Sequence, residues 1–276
     1  MYSRDQLAED FRALGVASGD IVLLHASVRA VGEIAGGPDQ IHLALKLVLT
    51  ENGTLMMYAS CPNYTDEVGR GSLTCLEEQE ILEKLPPYDP LTARSQRENG
   101  TLVEFFRTYP SSRVNSHVAR FVVWGKQTDY LLSEQPWNYA FGVGSPLDRF
   151  SQLDGKILLL GCDHDTLTFL HFAEHIADVP NKRVARFRVP IEEDGRRVWR
   201  EMEEFDTSGN GAHPNWPKDL FARIVEGYLA KTGNAGGRVG SAQSYLLRAR
   251  DLLNYALPIM NSLAGSPRDI NEATAS

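Results

Sequence analysis

Apolar positions along the chain switch between two periods, and the switches mark out its elements. Residues 3–15 alternate apolar and polar side chains at helical spacing, with Ser3 as a cap and Gly15 as a stop, which predicts an amphipathic helix. Ile21-Val-Leu-Leu-His-Ala-Ser27 is a short, mostly apolar run, the pattern of a buried strand. Gly36-Gly-Pro38 punctuates the chain, and Pro38 suits the first turn of a helix running to about Leu49. Thr54-Leu-Met-Met-Tyr58 reads as a second strand. Helix, strand, helix and strand within the first 60 residues predict an α/β protein. The expected architecture is a layered fold with a mostly parallel central sheet covered by helices.

Residues 60–98 break this rhythm. They hold Pro62, Gly69, Gly71, Pro86, Pro87 and Pro90 around an acidic helical piece at 76–84, and read as a lid-like insertion shaping a substrate cleft. A helix at 100–108, a strand at 119–124 and the Leu-rich strand at 156–161 return to the sheet. Arg183–Ile191 and Val198–Glu203 alternate as a hairpin around Glu193-Asp-Gly195, and 218–229 and 251–263 read as helices. Residues 1–265 are expected to form a single domain. The tail at 266–276 has no periodic apolar pattern and reads as frayed.

Composition narrows the partners. The chain is 42% hydrophobic and 23% charged, which suits a globular protein with a substantial core. Its 28 Lys and Arg against 36 Asp and Glu give a net charge of −8, which argues against nucleic acid and is compatible with a cationic small substrate. Cys61, Cys75 and Cys162 are odd in number and widely spaced, so neither a disulfide framework nor a zinc ribbon is expected. No secretory signal and no membrane-length apolar run is visible, and the expected location is the cytoplasm.

The richest stretch is Gly161–Asp178. It follows the strand Lys156-Ile-Leu-Leu-Leu160, and Asp165 or Thr166 reads as the cap of a helix carrying Leu167, Leu170, Ala173 and Ala177 at helical spacing. One face of that helix carries His171, Glu174, His175 and Asp178. His171 is the best general-base candidate, because an imidazole titrates near working pH. Glu174, one turn along, or an acid from elsewhere can orient its ring. His171-x-x-Glu174-His175 also spells a zinc-peptidase pattern, for which Glu203, Glu204 or Asp206 are candidate third ligands. A plain packing histidine is the third reading.

Three further segments carry chemistry. His25-Ala-Ser-Val-Arg-Ala30 sits at a strand end before a Gly-rich turn, where Ser27, Arg29 and backbone N–H groups can hold an anion. No dinucleotide fingerprint or Walker lysine accompanies it. Asp66 and Glu67, beside Tyr64, can receive a polyamine, or can be a solvated loop. Asp206 reads as a turn former unless the fold brings it to His171.

An ordered set of segments resembles the aminoglycoside 3-N-acetyltransferases, the antibiotic N-acetyltransferase family that lies outside the GNAT fold. The set includes Leu24-His-Ala-Ser-Val-Arg-Ala-Val-Gly32 with Gly36-Gly-Pro38, Pro87-Tyr-Asp-Pro90, Asn115-Ser-His117 and Gly142-Val-Gly-Ser-Pro146. It continues with Asp165-x-x-Thr168-x-x-His171-x-Ala-Glu174, Asp178-Val-Pro-Asn-Lys-Arg183, Glu204-Phe-Asp206 and Val239-Gly-x-Ala-Gln-Ser244. The resemblance implies transfer of acetyl from acetyl-CoA, as cosubstrate and without a metal, to the 3-amino group of a 2-deoxystreptamine ring. It puts His171 on the catalytic histidine and Asp206 on an acid of the same site. It puts Asp66, with Glu67 and Tyr64, near the substrate acid, and Ser27, Val28, Arg29, Ala30 and Val31 on the loop holding CoA. A monomer or homodimer is expected, without nucleic-acid or membrane partners. Thr168 is a candidate oxyanion donor, and transfer is expected to be direct rather than through an acyl-Cys162. The sequence departs from the family pattern at Val118, where Pro is frequent, and at Asn99-Gly100, where Met-Gly is frequent. Acetyl transfer to another amine and zinc hydrolysis are the alternatives.

Overall fold

The computed structural model describes residues 1–61, 73–206 and 213–265. The opening alternation holds: α1 (Arg4–Ala13), β1 (Ile21–Ala26), a single turn α2 (Val28–Val31), α3 (Asp39–Leu49) and β2 (Thr54–Tyr58) follow one another. Ser3 caps α1 in a reciprocal capping box with Gln6. Then come α4 (Cys75–Lys84), α5 (Leu102–Thr108), β3 (Arg113–Val114), β4 (Phe121–Gly125), α6 (Thr128–Leu131), α7 (Pro146–Gln152), β5 (Lys156–Leu160) and α8 (Phe169–Ile176). The chain closes with β6 (Val184–Glu193), β7 (Arg196–Phe205), α9 (Leu220–Thr232), β8 (Gly237–Val239), β9 (Ala242–Arg248) and α10 (Ala249–Gly265).

Seven strands form one sheet in the order β3-β4-β2-β1-β5-β9-β8. Its centre, β2-β1-β5, is parallel, with Leu23 opposite Met56 on one side and Ile157 on the other. β4 and β9 run against this centre, and β3 and β8 run against them in turn. Most strands therefore point one way, as the opening alternation expects, yet parallel pairing is confined to the three central strands. The cause is connection length: a parallel neighbour requires a crossover, whereas β8 and β9 are joined by a two-residue turn that enforces antiparallel pairing.

Alternation along the central strands builds two cores. Val22, Leu24, Leu55, Met57, Leu158 and Leu160 face the layer of α1, α3 and α5. Leu23, Met56, Ile157 and Leu159 face α7, α8, α9 and α10. Burial on both faces explains why these strands read as continuous apolar runs. A third, smaller cluster forms where Phe187, Val189, Ile191 and Met202 of the β6–β7 ribbon meet Tyr88, Leu82 and Cys61. That ribbon turns at Asp194-Gly195, both with positive φ (50° and 72°), the geometry of a two-residue hairpin loop.

Two sequence expectations shift. The helix carrying His171 begins at Phe169, because residues 164–166 form a separate 3-10 turn. Asp165 caps nothing there and instead accepts from the backbone N–H of Ala222, 3.2 Å away. Asp178 consequently lies beyond the end of α8 and does not share its face with His171 and Glu174. Strand β9, antiparallel to β5, was not expected: Ala242-Gln-Ser-Tyr-Leu-Leu-Arg248 buries the small polar Ser244, so its inward face does not read as an apolar one.

Candidate active site

The C-terminal ends of β1, β2 and β5 open into a cleft, the usual place for a ligand beside a parallel sheet segment. A cavity of about 360 Å³ lies there, with Tyr58, Asn99, Thr168 and His171 on its sheet side and Phe187, Met202, Glu204 and Asp206 on its ribbon side. A recess of about 60 Å³, reaching His25 and Cys162, shares Tyr58, Glu98, Asn99, Thr166 and Thr168 with it. The two form one cleft with a narrow floor.

His171 sits in the first turns of α8, with 29% of its side chain exposed. Its Nδ1 lies 2.5 Å from Oε2 of Glu174, whose side chain is only 1% exposed. The i, i+3 spacing on a helix brings the two together without help from elsewhere. A carboxylate beside Nδ1 accepts its N–H, which leaves Nε2 as a lone-pair acceptor. Phe141 and Phe221 flank the ring at 5.3 and 5.0 Å between centroids and restrict its rotation. A ring held in this way on a cavity wall has the geometry that a general base requires.

His175 is wired differently. Its Nδ1 donates to the backbone carbonyl of His171 at 2.7 Å, and its Nε2 meets Oε1 of Glu204 at 2.5 Å. Glu204 also accepts from the backbone N–H groups of Ala140 (2.7 Å) and Phe205 (2.8 Å). With both ring nitrogens engaged, His175 turns no lone pair toward His171. The H-x-x-E-H spacing therefore does not converge on a zinc ligand set, and among the described residues no group of three His, Cys, Asp or Glu does.

Asp206 lines the same cavity at the end of β7, with Arg183 Nε 4.0 Å from its carboxylate. Thr168 stands at the cap position of α8 and lines both the cavity and the recess. Ser27 caps α2 by accepting from Ala30 N–H at 3.4 Å, and Arg29 is exposed. Val31 differs from its neighbours: its side chain is in the core and its carbonyl accepts from Ser241. None of residues 27–31 lines the cleft, although Ala26, just before them, does. Tyr64, Asp66 and Glu67 lie outside the described residues. Cys162 lines the recess and its thiol donates to the carbonyl of His25 at 3.5 Å. Burial pushes the Cys162 thiol upward, away from the thiolate an acyl-enzyme needs.

Sequence reasoning weighed Glu204 only as a zinc ligand and gave His25 no role. Glu204 shares the inner face of β7 with Met202, a period-2 signal that the hairpin pattern already contained. His25 is the one polar side chain in the run Ile21–Ala26, and burial together with the nearby His171 lowers its pKa to about 4.

An α/β sheet whose parallel centre ends at a half-buried, carboxylate-oriented histidine on a cavity wall has the build of an enzyme active site. The sequence profile of aminoglycoside 3-N-acetyltransferase matches residues 23–261. Aminoglycoside N(3)-acetyltransferase III of Pseudomonas aeruginosa is 40% identical over 265 residues, covering 96% of this chain and 95% of that protein. Among solved structures, AAC-IIIb in a binary complex with CoASH superposes with a TM-score of 0.87 at 37% identity, covering 96% of this chain and 98% of that one. Sisomicin-bound AAC-VIa superposes with a TM-score of 0.86 at 33% identity, covering 95% and 98%. The chain belongs to the aminoglycoside 3-N-acetyltransferase family.

Proposed function

We propose that this protein transfers the acetyl group of acetyl-CoA to the 3-amino group of a 2-deoxystreptamine aminoglycoside, with His171 as general base. The observation that carries the reading is the 2.5 Å contact between His171 Nδ1 and the buried Glu174, at the wall of a cleft in a chain of this family. An ammonium cannot attack a thioester, so the acceptor nitrogen must lose a proton. Nε2 of His171 takes that proton as the nitrogen attacks the carbonyl carbon. The C–N bond forms, the carbonyl becomes a tetrahedral oxyanion, and its collapse breaks the C–S bond and releases CoA thiolate. The imidazolium returns its proton to sulfur or solvent. Thr168 supplies a hydroxyl to the oxyanion. Glu174 holds the ring tautomer, and Asp206 supplies negative charge at the acceptor side.

Residues Ser27, Val28, Arg29, Ala30 and Val31 hold the pantetheine and phosphates of CoA, the last through its backbone N–H alone. Asp66, Glu67 and Tyr64 meet the polycationic acceptor, in keeping with a net charge of −8. Residues 1–265 act as one domain, with 60–98 as an insertion over the cleft. The enzyme works in the cytoplasm, in keeping with three unpaired cysteines. Among the described residues no helix is long and apolar enough to cross a membrane.

The test is release of free thiol from acetyl-CoA across a panel of aminoglycosides and simple amines. Release with 2-deoxystreptamine drugs alone supports the reading, and equal release with simple amines replaces the acceptor. Charge-based acceptor binding also requires the KM for aminoglycoside to rise with ionic strength. A flat KM removes Asp66 and Glu67 from the site.

A further inference from the structure

The floor of the cleft contains a polar atom that the mechanism above leaves unused. Nε2 of His25 is buried and has no hydrogen-bond partner. A buried imidazole nitrogen without a partner is costly, and a ligand that completes its hydrogen bond removes that cost. His25 lies at the C-terminal end of β1, with its backbone held between β2 and β5. Its ring lines the recess of about 60 Å³, and it is close enough to His171 for charge on one to disfavour charge on the other.

Size decides what the recess can take. The recess, about 60 Å³, is much the smaller of the two spaces and suits a small head group rather than a sugar ring. The main cavity of about 360 Å³ is the space for the acceptor. Thr168 borders both, one helical turn before His171.

We propose that the recess is the acetyl-thioester subsite and that His25 is a further catalytic residue, donating its Nε2–H to the thioester carbonyl oxygen and to the oxyanion that forms there. With Thr168 it makes a two-donor oxyanion hole on the sheet side of the cleft. The assignment rests on the acetyl-transfer reading. Burial and the neighbouring His171 hold the His25 pKa at about 4, so the ring stays neutral at working pH. A neutral imidazole can donate a hydrogen bond to an oxyanion without surrendering its proton to it. His25 therefore polarises the carbonyl, while His171 alone moves a proton.

The experiment compares His25→Ala and His25→Asn with the unmutated enzyme. The expected result for His25→Ala is a fall in kcat of about 10²–10³-fold, the loss typical of one oxyanion donor. Its CoA affinity and melting temperature stay close to those of the parent. His25→Asn, which restores an N–H donor, recovers part of the rate. A His25→Ala enzyme within about threefold of the parent kcat overturns the proposal, because an oxyanion donor is worth far more. Nitrogen-15 NMR of the unmutated protein decides the matter if the variants fail to fold or the Asn variant gives no rescue. Acetyl-CoA, which brings a carbonyl, must shift the His25 Nε2–H resonance, and CoA, which brings none, must shift it less. Equal effects from the two overturn the proposal. Failure of the underlying reading looks different: the unmutated enzyme then releases no thiol with any aminoglycoside.

Discussion

The two walls of the cleft are built in different ways. On the sheet wall, His25, Thr168 and His171 stand on or next to strands whose apolar side chains are buried on both faces. On the ribbon wall, Phe187, Met202 and Glu204 belong to a two-stranded hairpin outside the main sheet, resting on a small cluster of its own. The ribbon is tied down at a few points. Tyr88 N–H donates to the carbonyl of Pro190 at 2.7 Å, Tyr139 N–H donates to the carbonyl of Glu203 at 2.9 Å, and Glu204 reaches His175. In the proposed mechanism the reacting groups thus sit on the side anchored in the main core, and the side proposed to shape the acceptor pocket is attached by discrete polar links. A fold of this kind can vary its acceptor by altering the ribbon without disturbing the chemistry.

Substitutions can break or sharpen that contrast. The largest effect is expected on the sheet wall: His171→Ala lowers kcat by about 10²–10⁴-fold while the fold persists, as measured by thiol release and circular dichroism. A near-normal rate removes the general-base assignment. On the ribbon wall, Glu204→Ala strands the Nε2 of His175 and the N–H groups of Ala140 and Phe205. It should destabilise the protein by about 3 kcal/mol in denaturant titration, and raise the KM for aminoglycoside more than that for acetyl-CoA. Equal changes in the two KM values mean that the ribbon is not the acceptor wall. Glu174→Gln keeps the shape and loses the charge. It weakens a charge-assisted bond of about 1.5–3 kcal/mol, so kcat should fall by about 10- to 150-fold with little change in either KM.

The smallest effect concerns pH. His25 on the sheet wall and His117, which lines the main cavity beside Trp137, both have pKa values lowered to about 4, chiefly by burial. Between pH 6.5 and about 4 the unfolded chain binds protons that the native rings refuse. Stability is therefore complete above pH 6.5 and falls as the pH drops toward 4, with each ring contributing on the order of 1–3 kcal/mol. Melting curves across this range should show the fall, and His117→Gln should flatten it. An unchanged slope in that variant means that His117 is not what links the ribbon's stability to acid.

Much of this organisation is legible along the chain, and the illegible parts share one cause. The i, i+3 pair His171 and Glu174 could be read directly, since a helix alone brings those positions together. The two-residue turn at Asp194-Gly195 announced its hairpin for the same local reason. Arg120 shows what stays illegible. Arg120 is buried and donates to the carbonyls of Ala59, Pro90 and Ala93, so it fastens the insertion to the end of β2. Nothing in the order of residues announces that role.

Periodicity and local spacing alone determined the opening alternation of helices and strands, the burial of the central strands and the helical spacing of His171 and Glu174. Each depends on contacts within one helix or one strand, whose geometry is fixed by backbone sterics. Tertiary structure alone decided that β9 runs against β5, that His175 reaches across to Glu204, and that His25 ends up facing the same cleft as His171. Those contacts join segments far apart in the chain. Their formation depends on how whole faces pack and which polar atoms are left inside, quantities that no local window contains.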